Sequence, residues 1–231
     1  MEKGAIAGNL RRIRDRIDQR CLATGRNPEQ IRIIGVSKTV GQERIEEAIR
    51  AGLTEFGENR VQEGIEKIGS IHPSPKWHFI GHLQRNKARK AAEYFDVIQS
   101  VDSLELAEVI SVREADLKEE KEIYLQLNST GEAQKGGFYP GEIMEAADKI
   151  NKLPGLRLTG LMTIGPFTED ENSIRRSFSL TKEVYDRLKD EIGGRFEWLS
   201  MGMSGDFELA LEYGANLLRI GTAIFGARTN P

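Results

Sequence analysis

The sequence predicts an α/β chain folded as a single (β/α)8 TIM barrel with an extra N-terminal helix. Three observations carry that expectation. A length of 231 residues suits one such domain, because α/β barrels of about 200–250 residues are commonly single. Eight short β-rich runs alternate with longer stretches of helical periodicity, and connections of that length join parallel strands. An amphipathic helix precedes the first run, while the chain stops five residues after Gly226, too soon for a final helix. The first helix is therefore placed to cover that gap in the outer ring. A doubly wound open sheet alternates in the same way and stands as the alternative.

The elements follow in order. Ile6, Leu10, Ile13, Ile17 and Cys21 recur every three or four residues with arginines and aspartates between them, which is the pattern of a helix over 5–22. Thr24-Gly25-Arg26-Asn27-Pro28 stops it. IRIIGVSK (31–38) is the first strand, and a helix over 42–51 ends before Gly52. TEFGEN (54–59) precedes a helix over 60–69. KWHFIGH (76–82) precedes one over 85–93, and FDVIQSVD (95–102) one over 103–118. EIYLQLN (122–128) leads through the polar rim loop GEAQKGGFYPG (131–141) to a helix over 140–151. LRLTGLMTIG (156–165) precedes the longest helix, 171–191, and FEWLSMGM (196–203) precedes 205–214. NLLRIGTAIFG (216–226) completes the eight. No linker, charge block or low-complexity segment interrupts the sequence, so 1–231 is expected to be one domain.

Composition narrows the function. Lys and Arg total 33 against 36 Asp and Glu, a net charge of −3, which offers neither nucleic acid nor an anionic membrane a basic surface. With 39% hydrophobic and 30% charged residues, a real core is expected. The single cysteine, Cys21, excludes an intrachain disulfide framework and a multi-thiolate metal site, and fits a reducing cytoplasm. No run of about 18 apolar residues exists. The start MEKGAIAGNLRRIRDRI is too charged for a signal peptide.

In such a barrel, chemistry sits where strands end. Those positions here are Lys38, Glu58, Asn59, His82, Asp102, Asn128, Met162, Thr163, Ser200 to Ser204 and Arg219 to Thr222. Lys38 follows an apolar strand. Partial desolvation there would lower its pKa and leave an amine able to attack a carbonyl. The plain alternative is a strand-end lysine reaching into solvent. SMGMSGD (200–206) brings small residues, the Ser204 hydroxyl and a helix start, and RIGT (219–222) is the next strand end. Together they match the phosphate site of late barrel loops. Two tight turns with an N-cap at Ser204 or Asp206 would look similar. A lysine and an anion site call for a phosphorylated carbonyl compound, and pyridoxal 5′-phosphate (PLP) is one. Arg219 shares a strand face with Gly221 and can approach a pyridine nitrogen from the floor. The alternative is an arginine salt-bridged to a neighbouring strand.

GVSKTV (35–40), FGENRVQE (56–63), WHFIGHLQRNK (77–87), SVDS (100–103), LMTIG (161–165) and LSMGMSGDFELALEYGANLLRIGTAIFG (199–226) resemble the YggS-type pyridoxal-phosphate homeostasis proteins. The likeness covers nearly the whole chain in family order, and those proteins resemble the N-terminal barrel of alanine racemase standing alone. The resemblance implies that Lys38 is the internal-aldimine lysine. It also implies that Ser204, Gly221 and Thr222 bind the phosphate, that Arg219 meets the pyridine nitrogen, and that Asn59 and His82 line the site. Lys135 in EAQKGGF matches a further family feature without an assigned chemistry.

Racemisation needs a base on each face of the bound substrate. In alanine racemase the opposing tyrosine belongs to a second domain, for which this chain, ending at Pro231, has no length. Among Tyr94, Tyr124, Tyr139, Tyr185 and Tyr213, only Tyr139 falls on a loop able to reach the rim. The expectation is a monomeric cytoplasmic PLP carrier that buffers or delivers the cofactor, with apo PLP-dependent enzymes as its clients. It would lack a full catalytic apparatus. A racemase using water or Tyr139, and a Schiff-base aldolase acting on a phosphosugar, are the alternatives. The remaining signals have structural explanations. His72, His78 and His82 lack metal-ligand spacing; Arg85, Lys87, Arg89 and Lys90 form a solvated helix face. Glu169, Asp170 and Glu171 suit a helix N-terminus. Cys21 fills an apolar face.

Overall fold

The computed structural model describes residues 4–132 and 134–226. Residue 133 of the rim loop and residues 227–231, including the Pro231 terminus, lie outside the described residues. Eight strands close in sequence order into a parallel barrel: β1 (Arg32–Val36), β2 (Glu55–Glu58), β3 (Lys76–Phe79), β4 (Val97–Val101), β5 (Lys121–Leu127), β6 (Leu156–Thr163), β7 (Trp198–Ser200) and β8 (Leu217–Ile220). Closure runs through β1 and β8, in register from Arg32 opposite Leu217 to Gly35 opposite Ile220. The open-sheet alternative is thereby excluded.

The outer ring comprises α2 (Gln42–Arg50), α3 (Val61–Ser70), α4 (Arg85–Tyr94), α5 (Leu104–Leu117), α6 (Ile143–Asn151), α7 (Glu171–Ile192) and α8 (Phe207–Glu212), with α9 (Thr222–Phe225) after the last strand and α1 (Ala5–Ala23) before the first. The predicted stripe of α1 is buried throughout, from Ile6 to Cys21. This helix lies against α2, α8 and α9. The Asn9 amide donates to the Ile224 carbonyl at 2.7 Å, and Arg16 and Arg20 pair with Glu208 and Glu212. It therefore closes the ring beside the β8–β1 seam, as expected.

Most strands are shorter than their sequence runs, and two depart furthest from them. β7 spans only Trp198–Ser200, because Gly202 turns the chain at φ 93° and carries no Cβ, which would lie 2.6 Å from the Ala210 Cβ. The run 216–226 is not one strand. It leaves the sheet at Gly221 and winds into α9, with the Ile224 and Phe225 N–H groups donating to the Gly221 carbonyl at 3.0 and 2.9 Å. A final helix of four residues thus exists where none was expected. A segment that short has no period to distinguish it from a strand.

Apolar residues fill two shells. The larger lies between sheet and helices, with Phe56 against Trp77 at 5.6 Å and Phe79 edge-on to Phe95 at 5.2 Å. The smaller lies inside the barrel and holds Ile34, Val97, Tyr124, Met162 and Leu217. Polar residues complete that interior, among them Glu55, His78, Gln99, Ser200 and Arg219, all buried. Among the described residues no helix is long and apolar enough to cross a membrane, and no cluster of His, Cys, Asp and Glu could hold a metal ion. Arg85, Lys87, Arg89 and Lys90 are exposed, and Asp170 caps α7 by accepting from the Asn172 and Ser173 N–H groups.

Candidate functional site

Lys38 stands half-buried in the turn that follows β1, immediately after the fully buried Ser37. The turn is fastened from behind. The Ser37 hydroxyl donates to Glu58 Oε1 at 2.6 Å. Lys67 of α3 donates to the Ser37 carbonyl, Glu58 Oε1 and Glu63 Oε1 at 2.7, 2.8 and 2.7 Å. Glu63 Oε1 in turn accepts the Thr39 N–H at 2.6 Å. Thr39 needs that hold, since its φ of 62° is left-handed and its side chain is β-branched, a conformation costing on the order of 1–3 kcal/mol. Burial pushes the Glu58 carboxyl above the ordinary range despite Lys67 and Ser37, and its Oε2 has no hydrogen-bond partner. At the more exposed Glu63 burial acts in the same direction, but Lys67 and the Thr39 N–H outweigh it and hold the pKa down.

The late loops meet beside that turn. A Cβ placed on Gly221 would be 3.4 Å from the Val36 Cβ, so the ends of β8 and β1 are neighbours. Ser204 Oγ accepts the Gly221 and Ala223 N–H groups at 3.3 and 3.2 Å. It thus joins the loop after β7 to the start of α9, while Thr222 is exposed there. Asp206 steadies the same loop by accepting the Met203 N–H at 2.6 Å, and burial raises its pKa.

Arg219 occupies the barrel interior below this junction and is 4% exposed. Neither of its hydrogen-bonded acceptors is charged. It donates to Ser200 Oγ and to the Thr163 carbonyl, each at 2.6 Å. The salt bridge to a neighbouring strand, considered from the sequence, is not among its contacts. Burial lowers its pKa to about 10, against the field of Asp206, and it stays cationic at neutral pH.

Asn59, His82 and Lys135 line one cleft, together with Ile80, Gln126, Asn128 and Ile164. His82 projects outward, its side chain 72% exposed, with Nδ1 3.3 Å from Asp102 Oδ2. The Asn128 amide holds the rim loop by donating to the Glu132 and Lys135 carbonyls at 2.9 and 3.0 Å, and Lys135 Nζ reaches the Gly165 carbonyl at 3.2 Å. Tyr139 is exposed but borders a different groove, between α5 and α6. Tyr94 and Tyr185 lie on helices, Tyr213 just after α8, and Tyr124 inside the barrel beside Glu122.

Ser204 and Gly221 are hydrogen-bonded to one another, Thr222 and Arg219 flank them in sequence, and Lys38 stands at the adjacent strand end. Asn59 and His82 belong to the cleft bordered by the ends of β2, β3 and β5. Sequence reasoning missed the supports: Lys67 and Glu63 behind Lys38, and His78, Gln99 and Glu55 within the barrel. Only the Glu63–Lys67 spacing carried a signal, as an i,i+4 pair. The arrangement offers chemistry an amine at a barrel mouth, a cluster of N–H and hydroxyl groups beside it, and a buried cation that can only donate.

The family model described as alanine racemase, N-terminal domain, matches residues 2–229. The pyridoxal phosphate homeostasis protein of Vibrio alginolyticus is 39% identical over 232 residues, covering 97% of this chain and 98% of its own length. The protein of the same name from Escherichia coli K12 is 40% identical, with 96% and 97% covered. Among solved structures, PipY of Synechococcus elongatus PCC7942, with PLP bound, matches at a TM-score of 0.83 and 34% identity, covering 96% of this chain and all of its own.

Proposed function

The chain belongs to the alanine racemase N-terminal domain family, alongside the pyridoxal phosphate homeostasis proteins, and from that premise we propose that it binds PLP through Lys38 and holds the cofactor for buffering or delivery. The observation that carries this reading is the junction of Ser204 with the Gly221 and Ala223 N–H groups, beside the end of β1 and the turn that carries Lys38. The donor set fits the ligand. Ser204, Gly221 and Thr222 would hold the phosphate, where a hydroxyl and backbone N–H groups suit an anion. Arg219 would face the pyridine nitrogen, and Asn59 and His82 would flank the ring.

When bound, PLP supplies an aldehyde that condenses with an amine, releasing one water, and a ring that can draw electrons from an attached amino acid. Lys38 is the amine for that attachment, and water reverses it, which suits a protein that must release its cargo. Arg219 has no proton-accepting atom, so it favours an unprotonated pyridine nitrogen and a weak electron sink. That lessens the ring's pull on electrons of an attached amino acid and leaves storage untouched. The relatives are likewise named for homeostasis rather than for a reaction.

Absorption spectroscopy followed by borohydride reduction and peptide mapping tests the reading. Purified protein with PLP should absorb in the visible, and reduction should fix the adduct on the peptide containing Lys38. Lys38→Ala should lose both; an unchanged adduct overturns the site. Robust turnover of any amino acid overturns the carrier role. The lone, buried Cys21 suits a reducing cytoplasm, and the proposal extends to a monomer that serves apo PLP-dependent enzymes. Light scattering and cofactor transfer to such an enzyme, with and without a dialysis membrane between them, check those points.

A further inference from the structure

A hydrogen-bonded chain crosses the barrel interior from Glu55, the first residue of β2, to Arg219 on β8. Glu55 Oε2 lies 2.9 Å from His78 Nε2, and His78 Nδ1 lies 2.9 Å from Gln99 Nε2. Gln99 Oε1 accepts from Ser200 Oγ at 2.7 Å, and Ser200 Oγ accepts from Arg219 at 2.6 Å. The residues come from five different strands, β2, β3, β4, β7 and β8, and every one is buried.

The chemistry of these groups allows one direction along the chain. Glu55 can only accept as a carboxylate. Burial favours its neutral form, but His78, Arg32 and Lys76 outweigh burial and keep it ionised. His78 is held neutral by burial, against the pull of Glu55, so it carries a single ring proton. That proton lies on Nε2, because a lone pair there would face the carboxylate. Nδ1 is then an acceptor and fixes Gln99 with its NH2 toward the histidine and its oxygen toward Ser200. Ser200 spends its one proton on Gln99, which leaves a lone pair for the Arg219 N–H. Each donor from Arg219 onward points toward Glu55.

We propose that Glu55, His78 and Gln99 are positioning residues that, through Ser200, orient the Arg219 guanidinium and so set the grip and electronic character of the site for a pyridine ring. The inference rests on the reading that Arg219 meets that ring's nitrogen. The buried cation has neutral acceptors in contact and feels the field of Asp206, while the chain of hydrogen bonds that fixes its Ser200 acceptor ends on the Glu55 carboxylate. Losing any link frees the guanidinium to rotate about its bond to the Thr163 carbonyl.

Two measurements test this. Nitrogen-15 NMR of His78 in the ligand-free protein should show a neutral ring protonated at Nε2; a proton on Nδ1 overturns the direction of the chain without any variant. PLP titrations should then compare Arg219→Gln, Gln99→Leu, Ser200→Ala and Ser200→Thr, reading the dissociation constant and the position of the visible band. Gln99→Leu and Ser200→Ala should each weaken binding by about threefold to tenfold, the value of one hydrogen bond. Both should move the band in the direction that Arg219→Gln does. Combining them should add little beyond either, and Ser200→Thr, which keeps the hydroxyl, should restore the band. If Arg219→Gln moves the band and the other two do not, the relay is overturned while the reading of Arg219 stands. If Arg219→Gln changes neither quantity, the reading fails and takes the proposal with it.

Discussion

Lys67, on α3, donates to the main-chain carbonyl of Ser37 at 2.7 Å and thereby grips the residue immediately before Lys38. The same ammonium lies 2.8 Å from Glu58, whose side chain is wholly buried. The geometry of the proposed cofactor lysine is therefore held by a second lysine that lines none of the described clefts.

Replacing Lys67 should damage both stability and the site. Lys67→Met leaves the Glu58 carboxyl buried without its cation, and breaking such a pair costs about 3–5 kcal/mol. Urea unfolding should show that loss, and Glu58→Gln in the same chain should recover part of it. Borohydride trapping at Lys38 should slow in the folded fraction. Stability within error of the parent protein would show that the clamp carries no weight.

Ser204→Ala separates phosphate from aldehyde recognition. Removing the hydroxyl frees the Gly221 and Ala223 N–H groups and deletes one donor beside them. A charge-assisted hydrogen bond is worth about 1.5–3 kcal/mol, so PLP should bind roughly tenfold or more weakly. Pyridoxal, which lacks the phosphate, should bind Ser204→Ala and the parent protein alike. An equal loss for both ligands in competition titrations would remove Ser204 from the phosphate site.

Acid should weaken the barrel through Glu122. Burial raises its pKa, yet Lys76, Arg157 and the Thr159 hydroxyl outweigh burial and leave it below the ordinary value. A depressed folded-state pKa means stability that is fully present above the unfolded pKa of about 4.3 and is lost as pH falls through the folded value. Glu122→Gln should therefore be less stable than the parent near neutrality and converge with it in acid. Denaturant melts across that range read the difference directly, and parallel curves would contradict the assignment.

Leu10→Ala tests α1 as a structural part of the barrel. Leu10 is 1% exposed in the stripe that faces α2, α8 and α9. A cavity there should cost about 2–5 kcal/mol. Calorimetry should show one lowered transition, since the helix shares its core with the ring. An unchanged melting temperature would mean that α1 docks too weakly to close the seam.

The elements were legible because their causes are local. The apolar run IRIIGVSK marks a buried strand, the three-or-four spacing from Ile6 to Cys21 reports which side of its helix is buried, and glycines mark where segments end. Lys38, Ser204, Gly221 and Arg219 were legible as candidates by their place at strand ends, alongside a family likeness running through the chain. The split of 216–226 into β8 and α9 was not. Four residues hold barely one helical turn, and the decisive contacts at Gly221 and Ala223 come from Ser204 on another loop.

By itself the sequence determined the order and period of the elements as far as the last run and the residue types at the barrel mouth, because each follows from burial along a local stretch of chain, whereas closure through β1 and β8 is a long-range pairing. Only the tertiary structure decided which distant side chains support them. Alternation tells whether Glu55, His78 and Gln99 point inward, but not at what height. Relative height depends on the stagger between strands of the closed barrel, which involves all eight at once. That stagger aligns Glu55 with Arg219 through three intermediates and sets Lys67 behind Ser37.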